Sequence, residues 1–399
     1  MEVVAHERRA DARAGRLLLA LAFLAFVSLG LPDTIFGVAW PDLRRAFDAP
    51  QAAAGALLFA AGSGYLLSSL FAGRLARASG VGALLALSAL ALTAACLGYA
   101  VAPAFPWLVA LSAVAGLGSG AIDAALNAHA STHFSPRHVN WLHACYSLGA
   151  TVGPLIMTAM VVRGSWRTGY AVVGGVMLVL TALFAATHRR WELSTPDPAT
   201  RDAAVGTLAA LRHPLVLTQV FVFFAYTGLE MTVGTWCYTL LTEARGHEPA
   251  LAGAAASLYF GAIGAGRVGF GLIANRVDLD RLLRMCTAFA VAGALLFAFS
   301  SSGAWNLAGL AVLGLALAPV YPCLMSRTPR RLGPDLAAHA FGFQVCAATF
   351  GAILAPALGG LLAQRAGLAS LSPLVTALAA ALLVGHEALL RRTRPAAAG

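Results

Sequence analysis

Apolar residues run through the chain in long unbroken stretches, and the polar positions gather between them. Twelve stretches can be marked, at 16–40, 52–73, 82–102, 107–131, 140–162, 168–187, 215–241, 250–273, 281–300, 305–326, 340–363 and 369–390. A helix that crosses about 30 Å of hydrocarbon at 1.5 Å per residue needs about 20 residues. Each stretch meets that length, so the pattern predicts an all-α integral membrane protein with twelve transmembrane helices and no β-barrel.

The longest polar interruption, 188–214, contains Thr195-Pro-Asp-Pro198 and four arginines and falls at the middle of the chain. It reads as a linker between two six-helix halves, 1–187 and 215–399. A duplicated architecture leaves self-similarity at a fixed offset. Shifting by 198 places Gly30-Leu31 and Thr34 on Gly228-Leu229 and Thr232, Gly55 on Gly253, Gly73 on Gly271, Trp107 on Trp305 and Gly116 on Gly314. Farther on the offset becomes 202, with Gly149 and Pro154 matching Gly351 and Pro356, so the second half has about four extra residues before its fifth span.

Composition agrees, with 59% hydrophobic and 11% charged residues against about 45–50% and about 25% in soluble domains. All 27 positive residues are arginine and the net charge is +10. In a soluble domain that balance would hint at nucleic acid, but here the arginines sit in short loops and tails, where topology explains them. Alternating the sides puts 20 arginines with the termini and the linker and only Arg44, Arg45, Arg163, Arg167, Arg245 and Arg365 opposite, with Arg267 inside a span. The positive-inside rule then places both termini and the linker in the cytoplasm. The six cysteines all lie in apolar runs without a CxxC spacing, so they read as packing residues and not as a metal or redox site. The first apolar stretch continues past Gly30 without a cleavage site, which makes it a span and not a signal peptide.

Twelve helices in a parallel 6+6 repeat with cytoplasmic ends resemble the major facilitator superfamily of transporters over the whole chain. The superfamily's loop motif after span 2, roughly Gly-x-x-x-Asp-Arg-x-Gly, is degenerate here as Gly73-Arg-Leu-Ala-Arg77-Ala-Ser-Gly80. The second-half copy, Gly271-x-x-x-Asn275-Arg276, is closer.

Few ionisable groups lie deep in spans: Asp33, Asp123, His143, Glu230 and Arg267. A charge at mid-membrane costs about 2.5–3.5 kcal/mol on insertion scales, so each needs a partner, a watery cavity or a proton. Pro32 and Gly37 loosen the helix around Asp33, and broken helices at mid-depth are typical of transport sites. Asp123 and Asn127, four apart, set a carboxylate and an amide on one helical face. Glu230 lies between Gly228 and Gly234 with Trp236 nearby, as a sugar site would. Together with Asn140-Trp-Leu-His143-x-x-Tyr146 and Tyr226-Thr-Gly-Leu-Glu230, these segments resemble the fucose permease-like branch, which consists largely of sugar:proton symporters. That resemblance implies proton coupling at Asp33 and Asp123 and sugar binding at Asn127. Asn127, His143, Tyr226, Glu230, Trp236, Tyr321 and Gln344 are expected to line the substrate site, and Arg267 to form a gate.

The expected function is proton-coupled secondary transport of a sugar or similar small polar metabolite, in a bacterial inner membrane and as a monomer. The alternative is proton-antiport efflux of drugs or metabolites, since the same acids serve either direction. A chain without lysine has no Gly-x-x-x-x-Gly-Lys loop for ATP. An intramembrane enzyme would need a reactive His or Ser beside an interfacial acid; only His143 offers one, and the duplication has no purpose in that reading. No cofactor, metal or nucleic acid is implied; the partners are solute, protons and the lipid bilayer.

Overall fold

The computed structural model describes residues 2–134, 136–191, 207–273 and 276–393. The core of the central linker, including Thr195-Pro-Asp-Pro198, and Asn275 of the second loop motif lie outside the described residues. Thirteen α-helices account for nearly all of the rest: α1 (Glu2–Ala46), α2 (Ala54–Ser79), α3 (Val81–Val101), α4 (Phe105–His133), α5 (Pro136–Val162), α6 (Trp166–Thr187), α7 (Thr207–Arg212), α8 (Pro214–Thr239), α9 (Pro249–Ile273), α10 (Leu279–Phe299), α11 (Gly303–Leu317), α12 (Val320–Ala366) and α13 (Leu371–Thr393). Twelve spans are long and apolar enough to cross a membrane. Two departures from simple helices matter. Span 10 runs through α11 into the start of α12, and α12 bends at Gly333, whose φ of 75° is open to glycine and strained for other residues. The end of α8 widens into a π-helical turn over Leu240–Ala244.

The chain forms two compact units: Met1–Ile35 with Ala60–Pro198, and Phe36–Phe59 with Ala199–Gly399. This differs from a clean division into halves 1–187 and 215–399, because the end of α1 and the start of α2 group with the second unit. Polar contacts give the reason. Arg44 Nη2 donates to Glu243 Oε1 and Oε2 at 3.2 and 3.0 Å. Gln51 joins them by donating its side-chain amide to Glu243 at 3.2 Å and its backbone N–H to Gln364 Oε1 at 2.8 Å, while accepting from the Trp40 indole at 2.8 Å.

Within the first unit α3 packs on α4 and α6, and α5 on α6; within the second, α8 packs on α12 and α13, and α10 on α11 and α13. Lipid gives helices no hydrophobic reason to associate, so small residues that let backbones approach do much of the work. The internal repeat marks those positions. A Cβ on Gly30 would strike the Tyr146 carbonyl and one on Gly149 the Val27 carbonyl, which fixes the α1–α5 crossing. Their counterparts Gly228 and Gly351 fix the α8–α12 crossing, where a Cβ on Gly351 would strike the Phe224 carbonyl. Likewise Gly116 sits on the Ala61 carbonyl and Gly314 on the Tyr259 carbonyl, two pairs related by the same offset of 198.

Of the six arginines expected on the sparsely charged side, Arg44, Arg45, Arg167 and Arg245 are tied down. Arg45 pairs with Asp42 at 2.5 Å, and Arg167 donates to the Ala100 and Ala102 carbonyls at the end of α3 at 3.1 and 3.0 Å. Arg245, just past the π-turn, donates to the Phe297 and Ala298 carbonyls at the end of α10, to Asn306 Oδ1 in α11 and to Ser372 Oγ in α13, at 2.6–3.2 Å. Burial pushes its guanidinium below the usual arginine value, as expected when a cation leaves water. Of the cysteines, Cys96, Cys237, Cys286 and Cys323 are buried, whereas Cys346 is exposed.

Candidate functional site

In the first unit each membrane-embedded acid is met by a tyrosine hydroxyl. The close α1–α5 crossing at Gly30 and Gly149 brings Tyr146 alongside Asp33, and Tyr146 Oη donates to Asp33 Oδ2 at 3.2 Å. Thr34 anchors the same crossing by donating to the Ala150 carbonyl of α5 at 3.0 Å. Asp33 itself is exposed although it lies within a span.

Asp123 is held in a similar way on the other side of the unit. Gly116 and Gly120 let α2 lie against α4, and Tyr65 Oη donates to Asp123 Oδ2 at 2.5 Å. One turn on, Asn127 Nδ2 donates to Asp123 Oδ1 at 2.8 Å, so the four-residue spacing does place amide and carboxylate on one face. The two aspartates are within electrostatic reach of each other. Among the described residues neither carboxylate has a cation within ion-pair distance. Tyr65 had no signal in its local sequence; only the Gly116 and Gly120 pair hinted that α2 would come close.

The second unit is built differently. Arg267 of α9 lies 3.5 Å from Glu230 of α8, and the two side chains are only 19% and 12% exposed. Tyr259, two turns before Arg267, donates to the Glu230 backbone carbonyl at 3.1 Å. Tyr226 is buried beside the pair and lies within the field of both charges. Its ring faces Tyr321 at 6.1 Å, and Tyr321 in turn meets Phe223 at 5.2 Å. Arg267 therefore neutralises the neighbouring acid within one unit.

Three other expected site residues have contacts of their own. Trp236 is buried and gives its indole N–H to the Pro356 carbonyl at 2.8 Å, joining α8 to α12. Gln344 is fully buried and bonds Gln219 at 2.5 Å and Thr328 at 3.0 Å. His143 is exposed and sets its ring edge-on to Phe26 at 5.3 Å. No account of substrate contact follows from the surroundings of Trp236 or Gln344, whose polar groups are engaged inside the unit.

Comparison with known proteins adds the family. The model of the Major Facilitator Superfamily matches residues 22–356. The chain is similar to the glucose/mannose transporter GlcP of Bacillus subtilis (strain 168), at 21% identity over 301 residues, 72% of this chain and 73% of that protein. It is also similar to the membrane protein MosC of Rhizobium meliloti, at 24% identity over 356 residues, 88% of this chain and 84% of that protein. In fold it resembles a mutant of the nucleoside transporter NupG, with a TM-score of 0.75 at 13% identity over 94% of this chain and 99% of that one. A bacterial homolog of the human lysosomal transporter Spinster gives a TM-score of 0.75 at 12% identity, over 96% and 99% of the two chains. With twelve spans, a duplicated set of helix crossings and a family match over most of its length, the chain belongs to the Major Facilitator Superfamily.

Proposed function

We propose that this transporter couples proton movement to the passage of a sugar or a similar small polar metabolite. The observation that carries the reading is the pair of membrane-embedded carboxylates, Asp33 and Asp123, each bonded to a tyrosine hydroxyl and neither paired with a cation. A carboxylate without a counter-charge is expensive to carry through a closed, dry intermediate, and a proton removes that cost. Proton binding can then license the conformational change on which alternating access depends.

Donor counts divide the two acids. Asp123 accepts on both oxygens, from Tyr65 and Asn127, so protonating either one weakens a hydrogen bond already made to the charged carboxylate. Among the described residues Asp33 accepts only from Tyr146, on Oδ2, so a proton on Oδ1 displaces no donor there. Asp33 is the proton carrier in this reading, and the residue is exposed within its span. Within the first unit Asp123 and Asn127 supply an acceptor and a donor for a hydroxylated solute; the second unit carries its own polar and aromatic group of Glu230, Tyr226 and Tyr321. Arg267 already balances Glu230, so this pair carries no net charge, which favours a neutral substrate.

The likeness to a glucose/mannose transporter supports the sugar class, as do the motifs around Asp33, Asp123 and Asn127. Each chain has its own set of these residues and works as a monomer in a bacterial inner membrane, with both termini and the linker in the cytoplasm. The test is uptake of a panel of radiolabelled monosaccharides and nucleosides into proteoliposomes with and without an inward proton gradient. Accumulation of a monosaccharide only with the gradient supports the proposal, and gradient-independent equilibration of every solute opposes it.

A further inference from the structure

A groove of about 470 Å³ runs along the surface of the second unit between the first turns of α8 and the last turns of α13. Its walls are Leu217, Phe221, Val384 and Ala388, and the first three remain 48%, 47% and 66% exposed. Gly385 keeps it open, since a Cβ there would come within 2.9 Å of the Phe221 ring. Both helices are membrane spans, and the groove ends where one begins and the other finishes. One end therefore lies at the boundary between hydrocarbon and water.

That end is basic. Arg392 is fixed across the mouth by Nη1, which donates to the Pro214 carbonyl at 2.9 Å and to Thr218 Oγ1 at 2.7 Å. The remainder of its guanidinium fork stays exposed. Arg391 precedes it and is also exposed, and Arg212 lies two residues before Pro214. The nearby acid on α13, Glu387, is engaged by Arg284 at 2.5 and 2.8 Å and also lies in the field of Arg391, so among these described residues the arginines outnumber the acid.

An apolar slot on a membrane face that ends in an arginine fork has the complement of a phospholipid: acyl chain along the slot, phosphate at the fork. We propose that this groove binds an anionic phospholipid, its headgroup on Arg391 and Arg392 and one acyl chain against Leu217, Phe221 and Val384. An anionic headgroup is favoured over a zwitterionic one because the ammonium of the latter would bring a further positive charge to an end where arginines are in excess.

The experiment is native mass spectrometry of the purified full chain with phosphatidylglycerol and phosphatidylcholine of matched acyl chains. Wild type should retain phosphatidylglycerol in preference, and Arg391→Gln with Arg392→Gln should lower that preference by roughly fivefold per arginine, equivalent to about 1 kcal/mol each. Val384→Trp, which fills the slot at an exposed position, should displace both lipids while the melting temperature without lipid stays unchanged. Inorganic phosphate should not compete. Equal retention of the two lipids by wild type, or a preference that survives loss of both arginines, would overturn the proposal. If the double variant does not purify, each single variant carries the same test at roughly fivefold.

Discussion

Arg267 and Glu230 form the ion pair that sets the second unit apart from the first: a carboxylate 3.5 Å from a guanidinium, against two carboxylates that have only hydroxyl and amide donors. A mostly buried pair is costly to break from one side, because the survivor is an uncompensated charge. Glu230→Gln and Arg267→Gln should each lower stability by several kcal/mol at most, about 3–5 in the limit of full burial. The double variant should recover most of that loss but still bind substrate more weakly. A double-mutant cycle on melting temperature checks it, and additive losses would show that the two side chains do not interact.

Tyr65 is the positioning residue for Asp123. Removing its hydroxyl in Tyr65→Phe deletes a hydrogen bond to a charged group, about 1.5–3 kcal/mol. The KM for the transported solute should rise roughly tenfold or more while exchange at saturating solute persists. An unchanged KM would mean that Asn127 alone holds the carboxylate.

The repeated glycines should respond as pairs. Gly149→Ala and Gly351→Ala push a Cβ into a backbone carbonyl and should each cost about 1–3 kcal/mol. Gly175→Ala and Gly271→Ala meet nothing within 4 Å and should be nearly neutral. Thermal melting in one detergent ranks the four, and similar losses at all of them would refute the crossing assignment.

Arg245 joins the ends of α10, α11 and α13 through a planar fork with four acceptors. Lysine keeps the charge but cannot reproduce that geometry. Arg245→Lys should therefore melt close to Arg245→Ala and well below wild type. Recovery by lysine would show that charge alone matters.

The spans were legible because bilayer thickness imposes a length that composition reveals: the stretch read at 281–300 is found at Leu279–Phe299. The repeat was legible for a second reason, since among the glycines it matches, Gly30, Gly149 and Gly351 are places where a Cβ would strike a backbone carbonyl, and at Gly228 it would press on the Ala355 side chain. Partners across space were not. Helical spacing tells which residues share a face but not what that face meets, so Tyr65 on Asp123 and Arg267 on Glu230 emerged only from the packing. The grouping of Phe36–Phe59 with the second unit was hidden likewise, because it depends on Arg44, Gln51 and Glu243 meeting from distant parts of the chain. Trp236 and Gln344 looked like site residues by type, yet an indole or amide deep in a membrane protein serves equally well to join helices, as both do here.

The central claim is that Asp33 carries the coupled proton while Asp123 holds solute. Counterflow and proton-driven uptake measured in the same proteoliposomes test it most directly, for wild type, Asp33→Asn and Asp123→Asn. Asp33→Asn imitates the protonated state, so solute exchange should continue while accumulation against a gradient disappears; Asp123→Asn should weaken both through poorer binding. Uphill uptake retained by Asp33→Asn would place the coupling residue elsewhere and contradict the account.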